Sequence, residues 1–330
     1  MTTDRIAARN SAALIAASPR ERTDGVRTRL VRTPSVRSRG EAAIKAALFL
    51  AAILSVVTTV LIILSLLRET ISFFGDVPLG DYLFGTKWTP LLRGDQQSFG
   101  VIPVIWGTLY LTGIGLLVAI PLGLLCAIYL AEYAPRRVRK VVKPILETLA
   151  GVPTIVFGFF ALTFFTPNVI RGLGFDVNQF NALSAGIILG LLVLPTIASV
   201  AEDAMSAVPA SLREGAFGLG ASKLQVSLRI VFPAALSGIV AALILGASRA
   251  VGETVIILIA GGQTANLGVD PRESYQSMAA FIAATARGDI PTGSIEYETI
   301  FVVGFTLFCM TLLLNAVSIG LVRRFRQVYE

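Results

Sequence analysis

The 330-residue chain contains no histidine, only two cysteines, and charged residues at 15%. Without histidine it lacks the commonest general base, the commonest metal ligand and any imidazole proton relay. Cys126 and Cys309 each sit inside an apolar run and no CxxC pair exists, so neither a zinc site nor a disulfide framework is supported. Free cysteine in such surroundings behaves as a small hydrophobe. A G-x-x-x-x-G-K-[ST] phosphate loop is also missing, because GLGASK at residues 218–223 has the wrong spacing. Any nucleotide the protein uses must therefore be bound by another chain. The sequence offers no nucleophile–base–orienter set, no metal site and no cofactor motif, and predicts a protein that is not itself an enzyme. A net charge of +7 suggests nucleic acid at first. No basic stripe is interleaved with aromatics for base stacking, however, so nucleic-acid binding is not expected.

What the chain does have is apolar length. Hydrophobic residues make up 54% and mean hydropathy is +0.74, whereas soluble domains carry about 25% charged residues. Apolar runs predict six membrane spans, near residues 46–67, 101–130, 144–165, 183–203, 236–261 and 298–322, each long enough for about 30 Å of hydrocarbon. The segments between them predict an all-α polytopic protein in a lipid bilayer. Residues 1–45 hold nine arginines and Lys45 against four acids, and predict a disordered basic tail. A transit peptide is the competing reading, since such segments are also Arg-rich and acid-poor. Residues 46–68 form the first span, 69–100 an extracytoplasmic loop, and 101–330 a core of five spans. Placing both termini in the cytoplasm puts 21 of the 28 basic residues inside, including five in APRRVRKVVK at 134–143, as the positive-inside bias requires.

One polar island stands apart. EGAFGLGASKLQVSLRIVFP at residues 214–233 is too mixed to cross a bilayer. Ser211 with Glu214, and Ser222 with Gln225, have the spacing of helix capping boxes, and Gly220 suits the turn between two short helices. An ordinary interhelical loop would look much the same. The full pattern resembles the E-A-A-x-x-x-G-(x)9-I-x-L-P signature of ATP-binding-cassette importer permeases through Glu214, Ala216, Gly220, Ile230 and Pro233. Gly215 stands where that family usually has alanine, and Phe232 where it usually has leucine. The resemblance implies a type I (MetI-like) permease fold. It also implies that residues 205–235 form a coupling loop docking on a separate ATPase, with Glu214, Gly215, Ala216, Phe217, Gly220 and Pro233 at the contact.

Arg249 and Glu253 are charged residues within the fifth run, in GASRAVGETVII. A charge near a helix centre costs roughly 2.5–3.5 kcal/mol on insertion scales. Four residues apart on a helix, the two share a face and can pair. The pair either locks helices together or presents a cation to a path that an anion crosses, where the planar guanidinium fork suits an oxyanion. Thr254 can donate a hydroxyl, although membrane threonines commonly bond their own backbone. In the third run, Gly151, Pro153, Thr154 and Gly158 predict a kink or an unwound segment. Glu147 and Lys143 are placed to pair on one face as a structural contact.

The run R-A-V-G-E-T at 249–254 is similar to R-A-x-G-E-T of phosphate-specific permeases. FGVIPVIWGTL at 99–109, PLGLLCAIYLAEYAPRRVR at 121–139, LAGVPTIVFG at 149–158 and KWTP at 87–90 extend the likeness and favour the PstC-type subunit over the PstA-type. The resemblance implies an inorganic-phosphate importer in a bacterial plasma membrane. Its partners would be a PstA-type permease, a PstB-type ATPase dimer and a PstS-type binding protein, and its substrate-pathway residues Arg249, Glu253, Thr254, Pro153 and Thr154. Two alternatives stay open: a permease for sulfate or molybdate, and an ion-gradient-driven anion transporter using Glu253.

Overall fold

The computed structural model describes residues 38–325, so most of the predicted basic tail (1–37) lies outside the described residues. The chain divides into two compact units at residues 62 and 63. In the first, residues 38–62 are one continuous helical stretch, and every side chain from 41 to 62 is exposed. This helix, α1, is Ser38–Asp76. It starts before, and ends well after, the expected run of 46–67: SRGEAAIK and LRETISFFGD contain no proline and only isolated glycines, so nothing in them breaks a helix.

The second unit is all helical apart from one isolated bridge, Trp88–Phe99, among the described residues. Its elements are α2 (Leu79–Phe84), α3 (Ile102–Tyr133), α4 (Arg136–Ala150), α5 (Thr154–Ile170), α6 (Ala182–Ser206), α7 (Ala210–Gly218), α8 (Lys223–Ala234), α9 (Leu236–Val251), the short turn α10 (Ile257–Gly261), α11 (Met278–Ala286) and α12 (Ile295–Phe325). Among the described residues, four helices are long and apolar enough to cross a membrane, and six if each bent pair counts as one span. The bent pairs are α4 with α5, at 87°, and α8 with α9, at 72°.

The second and fourth runs emerge close to their expected limits, as α3 and α6. They form the centre of the unit because glycines let their backbones approach. A Cβ on Gly190 would lie 2.6 Å from the Gly115 carbonyl oxygen, and one on Gly186 would lie 2.5 Å from Ile114. In hydrocarbon, where apolar side chains gain nothing by leaving lipid, such small-residue seams give helices their close contact. Leu111, Ile188, Leu189, Leu192, Val193 and Ile197 fill the seam with no exposure above 1%.

The expected extracytoplasmic loop of 69–100, and the connection between the fifth and sixth runs, are folded. Within 69–100, Phe73 meets Tyr82 and Phe99 edge-on at 5.7 and 5.4 Å, and Trp88 meets Phe281 at 4.9 Å. Gly85 and Gly100 approach so closely that a Cβ on either would strike the other's backbone. Within 262–297, Trp106 Nε1 donates to the Gly268 carbonyl at 2.8 Å and Tyr110 Oη to that of Val269 at 2.7 Å. Tyr275 and Met278 are fully buried. Sequence polarity missed this packing because aromatic and small residues are scattered among the polar ones without a helical or strand period.

Several helices lengthen their turns to i→i+5 hydrogen bonds: Tyr129–Tyr133 at the end of α3, Ala161–Ile170 in α5, Ser227–Val231 in α8, and α10. The Arg171 and Gly262 amides close such turns onto Thr166 and Ile257.

Candidate functional site

The fifth run does not form one helix. The α9 helix ends at Val251, residues 252–254 are irregular, and a new helical turn starts at Val255. The interruption undoes the expected Arg249–Glu253 pair, because the i,i+4 relation holds only while the helix continues. Glu253 is instead 8% exposed, and its Oε1 accepts from the backbone N–H groups of Val255 at 3.0 Å and Ile256 at 3.3 Å. It caps the helical turn that follows, satisfying amides that a helix start leaves free. Thr254 Oγ1 donates to the Gly252 carbonyl at 3.2 Å, a bond within its own backbone.

Arg249 turns the other way. Its Nη1 donates to Thr196 Oγ1 on α6 at 2.9 Å, and its Nη2 to the Ala150 carbonyl at the end of α4 at 3.3 Å. Five ion pairs form among the described residues, and Arg249 is in none of them. Its charge is accommodated by helix ends: it lies in the last turn of α9 and touches the last residue of α4, and each C-terminus carries about half a negative charge. Guanidinium has five N–H donors, so several remain after these two bonds.

The third run is also broken, as its Gly-Val-Pro sequence predicts. Pro153 fixes the entry to α5, with φ −55° and ψ 130°, and Thr154 is the first residue of that helix. The expected single span of 144–165 is therefore two helices at 87°: α4, with five basic residues, and the apolar α5. Pro153 is exposed and Thr154 half-buried. They follow within four residues of the Ala150 carbonyl that holds Arg249, so the structure brings Arg249, Pro153 and Thr154 to one neighbourhood. The two breaks are also linked through α5, where a Cβ on Gly158 would lie 3.4 Å from the Ile256 Cα. Two irregular backbone segments and a half-buried cation thus converge, and irregular backbone at membrane depth belongs where it lines a cavity or is buried in protein.

Sequence reasoning missed the charges at the far end of α4. Lys143 does not pair with Glu147. It donates to Glu202 Oε2 at 2.8 Å and also contacts Asp203. Glu202 is fully buried and additionally takes Arg139 and the Ser206 hydroxyl, the latter at 2.9 Å. The available signal was Arg139 and Lys143 at i,i+4 on one helix and an acid late in an apolar run, but their separation of about sixty residues concealed the pairing.

The second candidate surface is the α7–turn–α8 segment. Pro209 starts α7 at Ala210 without a side-chain cap, so the expected Ser211–Glu214 capping box does not form. Proline's preset φ begins the helix before Ser211 can act as its cap. The Ser222–Gln225 box does form, with the Ser222 amide donating to Gln225 Oε1 at 2.8 Å. Gly220 adopts φ +81° at the turn between the helices, a conformation that glycine takes without steric penalty. Ala216 is buried against the core with Met205 and Val226. Glu214, Gly215 and Phe217 are exposed, Leu219 is 91% exposed, and a Cβ on Gly215 would meet nothing within 4 Å. Pro233 closes α8 just before the 72° bend.

The back of this segment is fixed while its front stays open. Arg213 donates at 2.7 Å to the carbonyls of both Val208 and Met205, and at 3.2 Å to Glu132 Oε1 on α3. Lys223 Nζ sits 5.0 Å above the Tyr133 ring. A polar-rimmed apolar patch on a rigid mount is the form of a protein-docking surface.

Comparison with known proteins agrees with this anatomy. The sequence pattern of the binding-protein-dependent transport system inner membrane component family matches residues 119–328. The chain is 30% identical over 280 residues to the phosphate transport system permease protein PstC of Haemophilus influenzae, covering 78% of this chain and 84% of that one. Its fold is similar to a chain of a bacterial ABC transporter involved in the import of alginate, at TM-score 0.57 and 19% identity, covering 88% of this chain and 100% of that one. It is also similar to a chain of the MetNI methionine ABC transporter in inward-facing form, at TM-score 0.54 and 20% identity, covering 69% and 96%.

Proposed function

The chain belongs to the binding-protein-dependent transport system inner membrane component family, and from that premise we propose that it is the PstC-type permease of an ATP-driven inorganic phosphate importer. It is a multi-pass membrane protein with an ABC importer permease fold. The observation that carries the proposed ATP coupling is the α7–α8 segment, which presents Glu214, Phe217 and Leu219 outward from a mount fixed by Arg213. A PstB-type ATPase dimer fits this face, on the cytoplasmic side with both termini. ATP binding would draw this segment toward its counterpart on a PstA-type partner and open the path toward a PstS-type binding protein. Hydrolysis belongs to the ATPase, and this chain contributes differential stabilisation of two conformations.

Phosphate as cargo is supported by the PstC relative's name and by Arg249, whose spare donors can meet an oxyanion. The pathway reading groups Arg249 with Pro153 and Thr154 at the paired breaks, and gives Glu253 and Thr254 the task of shaping the second break. The test is uptake of labelled phosphate by vesicles carrying the chain with its partner subunits. The expected uptake requires ATP, survives an uncoupler and ignores excess sulfate. Competition by sulfate would change the cargo, and collapse with the ion gradient would overturn ATP coupling.

Glu214→Lys should weaken ATPase co-purification at least about tenfold, since reversing an interface charge disfavours the docked state. The folded permease should survive because Glu214 is exposed and forms none of the ion pairs seen among the described residues. Undiminished co-purification would remove this surface as the docking site.

A further inference from the structure

We infer that Glu202 is a positioning residue for Arg249, acting through α4; this rests on the reading of Arg249 as part of the anion path. Glu202 is the only fully buried carboxylate among the described residues. Its oxygens are taken by Lys143 at 2.8 Å, by Ser206 at 2.9 Å and by Arg139. Arg139 also donates to Ser206 at 2.9 Å, and Asp203 takes the other side of Lys143. Arg139 and Lys143 are one helical turn apart on α4. Ala150 lies two turns beyond Lys143 on the same stripe, about 10 Å along the axis. Its carbonyl receives Arg249 Nη2 at 3.3 Å.

The same α6 helix supplies both supports. Thr196 holds Arg249 Nη1 at 2.9 Å, and Glu202, six residues later, holds α4. The guanidinium is therefore set between a hydroxyl on α6 and a carbonyl on a rod that Glu202 clamps to α6. Glu202 also lies one turn before Met205, whose carbonyl Arg213 grips from α7 at 2.7 Å. The clamp thus stands between the docking segment and Arg249, where a shift of α7 would reach the anion path as a movement of the α4 terminus. Packing alone does not require charges here, since apolar residues of similar volume commonly replace a buried ion cluster without loss of stability.

That equivalence supplies the test, made on the whole importer reconstituted with its binding protein. Glu202→Gln leaves cations that retain water, because the Arg139 and Lys143 side chains are 37% and 25% exposed. The triple variant Arg139→Met/Lys143→Met/Glu202→Leu replaces the cluster by apolar bulk. Both should assemble and hydrolyse ATP at the unmodified rate. Phosphate moved per ATP should fall on the order of tenfold or more, the scale at which small misplacements of a binding group tell, and Glu202→Asp should restore it in part. An unchanged phosphate-per-ATP ratio in the triple variant would overturn the inference, as would disassembly of the Glu202→Gln complex, which would make the clamp a fold element only. If the unmodified complex shows no ATP-driven phosphate uptake, the importer reading itself fails, and that is seen before any variant is compared.

Discussion

Replacing Arg249 with glutamine should abolish phosphate uptake while leaving subunit assembly and ATP turnover largely intact. Both partners of Arg249 are neutral, the Thr196 hydroxyl and the Ala150 carbonyl, so the substitution strands no buried carboxylate. Glutamine keeps an N–H donor for one of these acceptors. What it loses is the charge and the fork. Hydrogen bonds to a charged group are worth about 1.5–3 kcal/mol each, so losing two to a phosphate in transit would slow uptake by roughly 10²–10⁴-fold. Uptake in vesicles, together with subunit co-purification, measures both halves of the expectation. Loss of the variant from the membrane would mean that Arg249 holds the helices together and does nothing more.

The largest effect on stability should come from Gly190→Leu. A Cβ there would lie 2.6 Å from the Gly115 carbonyl oxygen and 2.9 Å from Val118, so α3 and α6 must separate before a leucine can enter. Separation exposes the contacts of Leu111, Leu189 and Leu192, which lie at the centre of the largest core cluster. Overpacking typically costs 1–3 kcal/mol when side chains can yield. A backbone oxygen cannot yield, and about 3 kcal/mol or more is expected here, or a melting temperature in detergent lower by roughly 10 °C. Gly113→Ala, on the facing helix α3, is the control: no atom lies within 4 Å of its Cβ, and alanine gains about 1 kcal/mol of helix propensity. Similar melting of the two variants would show that the α3–α6 seam is not the limiting contact.

Much of the architecture was legible because lipid demands long apolar runs, and the runs that became α3, α6 and α12 carry few internal interruptions. The bend at Pro153 was legible for the same reason, since proline states its geometry in the sequence. The break at Gly252 was not. A glycine inside a helical pattern costs only about 1 kcal/mol and usually leaves the helix intact, so Arg249 and Glu253 read as one face. At the break Glu253 caps the next turn through the amides two and three residues ahead, but inside an apolar run its four-residue spacing from Arg249 reads more readily as a pair on one helix. Long-range pairings were equally silent. Lys143 has an acid four residues away in Glu147, yet chooses Glu202, and Arg249 reaches an acceptor 99 positions earlier in the chain. At the proposed docking surface Glu214, Gly215 and Phe217 are exposed whereas Ala216 is buried in the core, and the mount that holds them, Arg213 with Glu132, lies outside the signature.

The lengthened turns of α5 have a practical consequence for mapping this protein by chemical labelling. Ten successive residues, Ala161–Ile170, are wound with i→i+5 bonds, so the face a residue presents no longer recurs at the usual 3.6 positions. A cysteine-accessibility scan along α5 should show reactive positions spaced more widely after Ala161 than before it. A wheel drawn at constant pitch from Thr154 would assign lipid-facing and protein-facing residues in the second half of the helix to the wrong sides.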